Sequence, residues 1–276
     1  MTTAIFEKAE TFTTWDTYFY PPIALRLYDR AIPLMLEMLN VGPGDLVLDA
    51  GCGVGGHSIR AAKAGCRVYA TDISAVALTW ARRRAGEAEA QHAITFIQGD
   101  LARLGFQDKS FSAIFSWGVI IHIPEVEKAL DEFVRLLKPG GRLALYVTNS
   151  TAWDGFFRTV AATLLRRPRR VRKPYPLGVG TWYDMHGEQL WIWQMHVKAL
   201  IAYLEARGLR CIRRSAGEFT QLHVHLKAGT IRNLLSRVNN AWLKLKLPVS
   251  PAAMNLLIFE RPCTTGASVQ ATVPLR

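Results

Sequence analysis

The chain has 276 residues, 50% of them hydrophobic, and a formal net charge of +12; it holds enough apolar content for one large core, which excludes a disordered or low-complexity chain. No apolar run is long enough to span a bilayer, and Cys52, Cys66, Cys211 and Cys263 are dispersed without a C-x-x-C pair, so neither a disulfide framework nor a metal site is expected. The first residues, with Glu7, Glu10 and Asp16, lack the charged-then-apolar order of a secretory signal, and the chain reads as cytoplasmic.

Residues 1–45 open with Phe12, Trp15, Tyr18, Phe19 and Tyr20 before Pro21-Pro22, then read as a helix with Leu25, Tyr28, Ile32, Leu36 and Leu39 on one side, together a helical lid. Next, Val47 to Ala50 reads as a buried strand that breaks into Gly51-Cys52-Gly53-Val54-Gly55-Gly56, a glycine-rich loop opening a helix. Such a loop lets a ligand approach the backbone and aims helix-start amides at it. Gly51, Gly53 and Gly56 also satisfy the dinucleotide pattern G-x-G-x-x-G, with Asp72 about 20 residues on. Asp49 tilts the balance. A carboxylate at the strand end, two residues before the first glycine, would face the like charge of a pyrophosphate but tolerates a cationic ligand. S-adenosylmethionine carries an ammonium and a sulfonium and no phosphate, and it fits.

Further strands are predicted at 67–71, 94–98, 112–116 and 142–148, alternating with helices over 57–64, 74–85 and 125–137. That alternation implies an α/β, doubly wound, mostly parallel sheet, whose ligands bind outside the carboxyl ends of the strands, where Asp49, Asp72, Asp100 and Ser116 fall. Lys138-Pro139-Gly140-Gly141 reads as a turn before the fifth strand. After Asn149 the alternation stops: residues 151–193 form an insertion, a helix is predicted over 194–207 and a strand near 209–214, and a second insertion, 215–252, precedes a last apolar strand, Asn255 to Phe259. The tail from 262 reads as disordered, and residues 1–261 as one domain with a core at 46–150.

Four blocks in order, Val47 to Gly56, Val68 to Ser74, Ile94 to Leu101 and Leu136 to Leu143, resemble the class I S-adenosylmethionine-dependent methyltransferases of the ubiquinone and menaquinone type, the methyltransferase type 11-like group, over residues 40–150. The resemblance implies a Rossmann-like, seven-stranded sheet of order 3-2-1-4-5-7-6 with the last strand antiparallel. It implies a cofactor site at Asp49, Gly51, Cys52, Gly53, Gly55, Asp72, Ile73, Asp100, Leu101, Ser116 and Trp117. In that reading Asp72 accepts the ribose hydroxyls, Asp100 and Leu101 border the adenine, and Ser116 and Trp117 lie beside the transferred methyl. His122, at the edge of the cofactor cleft, is a candidate general base or a residue that holds the loop.

The two halves differ in charge. Residues 1–150 hold 15 Lys/Arg against 16 Asp/Glu, whereas residues 151–276 hold 19 against 6. The cofactor gives no reason for this excess, which concerns the acceptor or a surface. Trp153, Phe156, Phe157, Val160, Leu164 and Leu165 recur at near-helical spacing before Arg166-Arg167-Pro168-Arg169-Arg170-Val171-Arg172-Lys173, and 227–247 repeats the theme around Ile231, Leu234, Leu235, Val238 and Trp242. Both 153–173 and 227–247 suit an anionic membrane surface, or equally a solvated cap over the cleft. Trp182, Tyr183, Trp191 and Trp193 form an aromatic segment expected over the methyl-transfer site, with Tyr183 and His186 as candidate acceptor contacts. The reading that results is methyl transfer to a small, apolar or lipid-linked acceptor. Its rivals are a nucleic-acid methyltransferase, for which no RNA-binding module is recognisable, and a membrane-recruited protein that binds the cofactor without turnover.

Overall fold

A computed structural model describes residues 4–19, 22–155, 164, 171–222, 229–245 and 248–263. After helices α1 (Ala9–Phe19) and α2 (Pro22–Met38), strands and helices alternate: β1 (Leu46–Ala50), α3 (Gly56–Lys63), β2 (Arg67–Asp72), α4 (Ala75–Glu87), β3 (Ile94–Gln98), β4 (Phe111–Trp117), α5 (Val126–Leu136) and β5 (Leu137–Thr148). A small sheet of β6 (Lys173–Tyr175), β7 (Gly178–Met185) and β8 (Glu188–Met195) follows, then α6 (Val197–Glu205), β9 (Arg210–Ala216), α7 (Thr230–Lys244) and β10 (Met254–Glu260). The main sheet has the order β3-β2-β1-β4-β5-β10-β9, with β10 antiparallel to both neighbours. Counted within that sheet this is 3-2-1-4-5-7-6, as expected.

Both faces of the sheet are covered, which is why β1 is apolar apart from its acid. Leu48, Ile114, Leu145 and Phe259 pack one face against α5, α6 and β8, while Val47, Ala70, Phe115 and Ile258 pack the other against α2, α3 and α4. On α5 the fully buried Val126, Ala129, Leu130 and Phe133 recur at helical spacing. The large ones contribute roughly 1.5–3 kcal/mol each by leaving water. The expected turn at Lys138–Gly141 is instead a bulge inside β5, where the register jumps from Phe111 opposite Leu137 to Ala113 opposite Arg142.

The insertion after β5 departs further from expectation. Gln194 and Met195 belong to a strand rather than to the helix predicted from 194, because Trp191, Trp193 and Met195 alternate with half-buried Ile192 and Gln194 in register with β7. The β7–β8 turn is a two-residue loop, His186 and Gly187, both at positive φ (54° and 75°), the type I′ geometry that matches strand twist. Phe156, Phe157, Val160, Leu165 and Arg166 to Arg170, with His223, His225, Lys227, Leu247 and the tail from Thr264, lie outside the described residues.

Candidate active site

The carboxyl ends of β1 and β2 form one connected unit. Gly51 and Cys52 donate their amides to the Thr71 carbonyl, at 2.8 Å each. Asp72 accepts from the Gly53 amide (2.8 Å) on one oxygen and from the Ser74 amide (3.0 Å) on the other, so its carboxylate joins the glycine loop to the start of α4. Burial pushes the Asp72 carboxyl up, and the Ser74, Gly53 and Ile73 amides pull it back only in part. A carboxylate offers about four acceptor positions, so adjacent ribose hydroxyls fit beside these amides. Ser74, and not Asp72, caps α4 by accepting from the Ala77 amide at 3.0 Å. Gly53, at φ +52°, opens onto free space on the side a Cβ would occupy, as backbone approached by a ligand must.

Asp49 is 1% exposed and accepts from the Ser58 hydroxyl at 2.5 Å. Burial pushes its carboxyl up to about 7 against the pull of Ser58, and the negative charge of Asp72 adds to the rise. It is thus anchored to α3, a link that sequence reasoning missed; Ser58 carried no signal beyond its place on the first turns of the helix. Burial also pushes the Cys52 thiol well up, which keeps it protonated.

At the neighbouring strand ends, Asp100 accepts from the Ala102 amide at 2.9 Å, Gln98 donates to the Ile73 carbonyl at 3.0 Å, and Leu101 is buried. Ser116 is tied to the Ala50 carbonyl at 2.9 Å, locking β4 to the end of β1. One face of Trp117 is taken by Tyr146, 3.9 Å away and nearly parallel, with Tyr28 against its edge. Trp117 and Tyr146 also wall a narrow apolar cleft with Leu27, Ala31, Leu34, Ala216, Gly217 and Leu256.

His122 is held from several sides. Its Nδ1 donates to the Trp191 carbonyl at 3.0 Å, since a carbonyl only accepts, and this leaves Nε2 as the lone-pair nitrogen. Burial lowers its pKa, the Trp191 contact opposing in part, so the ring is neutral near pH 7. Trp15 stacks on it at 5.6 Å and Phe6 meets its edge at 6.5 Å. The N-terminal segment is therefore laid across the site. Ser74 donates to the Phe6 carbonyl at 2.5 Å, and Asp16 pairs with Arg84 of α4.

The structure places His186 in the β7–β8 turn, exposed, where its Nε2 meets the hydroxyl of Thr14, the neighbour of Trp15, at 2.9 Å. Lys8 donates to its carbonyl at 3.0 Å and pairs with Glu188 at 3.1 Å. Tyr183 sits half-buried on β7 opposite Leu190. The observed geometry is a clasp between lid and hairpin.

Helix α7 is inside out. Its buried face carries Arg232, Ser236 and Asn239, while Ile231 (67% exposed) and Leu234 (58%) face outward. Asn239 holds Thr220 through both backbone groups, at 3.0 and 2.9 Å, and Arg232 donates to the Thr17 and Tyr18 carbonyls at the end of α1, at 3.3 and 3.4 Å. A cation at a helix C-terminus contributes about 0.3–1 kcal/mol, rising to about 2 when partly buried, whereas taking an ion out of water costs several. The helix end alone does not offset the burial of Arg232. Glu218, next to the cleft residue Gly217, is likewise buried, and burial pushes its carboxyl up to about 7.

A seven-stranded sheet with one antiparallel strand and acids at the carboxyl ends of β1 and β2 defines a Rossmann-like methyltransferase fold. Residues 48–145 match the family model for a methyltransferase domain. An uncharacterized protein of Mycobacterium tuberculosis is 30% identical over 189 residues, 66% of this chain and 63% of that one. A sterol 24-C-methyltransferase of Saccharomyces cerevisiae is 33% identical over 104 residues, 37% of this chain and 27% of that enzyme. Among solved structures, a magnesium protoporphyrin IX methyltransferase from Synechocystis PCC 6803 with bound S-adenosylhomocysteine superposes with a TM-score of 0.62 at 20% identity, over 94% of this chain and 97% of that one. Residues 48–145 are thus similar to the methyltransferase domain of the class I S-adenosylmethionine-dependent enzymes. The chain spans about two thirds or less of the length of the curated relatives named here.

Proposed function

We propose that this protein transfers the methyl group of S-adenosylmethionine to a small acceptor with an apolar, lipid-like body. The bound cofactor supplies an electrophilic methyl on a sulfonium, and in-line displacement asks the protein mainly for alignment in a dry site. Asp72 would hold the ribose, Asp100 and Leu101 the adenine, and the backbone of Gly51, Cys52, Gly53 and Gly55, backed by Asp49, the methionine end. Ser116 and Trp117 would border the methyl, and the lid segment would exclude water. Neutral His122, with its lone pair on Nε2, accepts a proton where the acceptor has one to lose. The observation that carries the acceptor reading is the apolar lining, from α2, β5, β9 and β10, of the cleft beside Trp117, which holds only about 10 Å³ and must widen to take an acceptor. The sterol relative is consistent with it. Incubation with tritiated-methyl S-adenosylmethionine and separate lipid, tRNA and water-soluble extracts is expected to label the lipid fraction. Label in tRNA alone overturns the reading.

One further observation supports recruitment to an anionic membrane surface: outward-facing Ile231 and Leu234 on α7, and exposed Leu245 just past its end, lie beside exposed Arg237 and Lys244, on the half of the chain that holds the excess positive charge. Among the described residues no helix is long and apolar enough to cross a membrane. The protein is expected to float with phosphatidylglycerol-containing vesicles at low salt and not with pure phosphatidylcholine vesicles. Remaining at the bottom of the gradient with both rejects recruitment.

A further inference from the structure

Arg232 is 8% exposed, and its Nε has no hydrogen-bond partner. All 22 Asp and Glu residues of the chain are among the described ones, and none lies within ion-pair distance of its guanidinium. Among the described residues the guanidinium makes two long bonds, to the carbonyls that end α1, which return less than burial of the charge costs. A buried guanidinium in this state is matched to an anion from outside the chain, since its planar fork suits carboxylate and phosphate oxygens.

The position says which anion. Thr17 and Tyr18 follow Trp15, the residue stacked on His122, so the guanidinium holds the end of the same helix that covers His122. Seven residues along α7, Asn239 grips Thr220, just past the cleft residues Ala216 and Gly217. Helix α7 packs beside α2 and β9, both of which supply walls of the apolar cleft, and its buried polar face carries the cation. We infer that Arg232 binds an anionic head, carboxylate or phosphate, on the apolar acceptor. This rests on the methyltransferase reading above and adds the charge and polarity of the substrate.

Calorimetry on the full chain separates the two claims. S-adenosylhomocysteine is titrated first, and absence of binding overturns the methyltransferase reading itself. The loaded protein is then titrated with octanoate, octan-1-ol and acetate. Octanoate is expected to bind about tenfold or more tightly than either of the others, needing both head and tail. Arg232→Met, which keeps the length of the side chain and removes the charge, is expected to bind octanoate no better than octan-1-ol while S-adenosylhomocysteine binding stays unchanged. Equal affinities for octanoate and octan-1-ol, acetate binding as tight as octanoate, or a preference that survives in Arg232→Met overturns the inference. The wild-type comparison decides it even where the variant does not fold.

Discussion

Replacing Asp72 with alanine is expected to weaken S-adenosylhomocysteine binding by about 100-fold or more. Two hydrogen bonds from ribose hydroxyls to a carboxylate are worth roughly 1.5–3 kcal/mol each, and the same change strands the Gly53 and Ser74 amides that shape the loop. Calorimetry measures the loss, and circular dichroism checks that α4, capped independently by Ser74, still forms. Asp72→Asn keeps one acceptor oxygen and is expected to fall between wild type and alanine. An alanine variant within threefold of wild type removes Asp72 from the ribose site.

Asp49→Asn is expected to remove a loss of stability that Asp49 causes between pH 5 and 8, a loss that buried His57, its pKa lowered by burial to about 3, and His122, also lowered, oppose below about pH 6.5. Folding moves the Asp49 carboxyl from an ordinary 3.8 to about 7. Between those values the folded chain binds more protons than the unfolded one, so the stabilisation present below pH 3.8 is lost progressively up to pH 7. From pH 5 to 8 that loss is about 2–3 kcal/mol. Glu218, also pushed up to about 7 by burial, adds its own loss over the same window, which the variant keeps. Denaturant unfolding at the two pH values tests this, and identical slopes for wild type and Asp49→Asn refute it. In the proposed site, the cation S-adenosylmethionine gains affinity over neutral-sulfur S-adenosylhomocysteine as Asp49 ionises.

The cofactor half was legible because its signals are local. Val47 to Ala50 is a buried run that ends in an acid and glycines, and Asp72 and Asp100 follow predicted strands, so sheet order and strand ends came with the motif. The second half was less legible because long-range packing decides it. The Trp182 to Trp193 segment looked like irregular aromatic lid, although Glu188 to Met195 alternates with a period of two and His186-Gly187 is a two-residue hairpin turn. For α7 the apolar spacing of Ile231, Leu234 and Trp242 gives a helix but not its inner face. Only tertiary structure turns Arg232, Ser236 and Asn239 inward. Ser58 and Glu218 carried no motif, and their roles arise from what packs against them.

The N-terminal segment touches four separate parts of the molecule: Ser74 and Arg84 on the core, His122 on the loop after β4, His186 and Glu188 on the hairpin, and Arg232 on α7. A stretch this short, anchored at so many points, opens as one cooperative unit. In the proposed reaction, entry of donor and acceptor and departure of products would then share a single opening step.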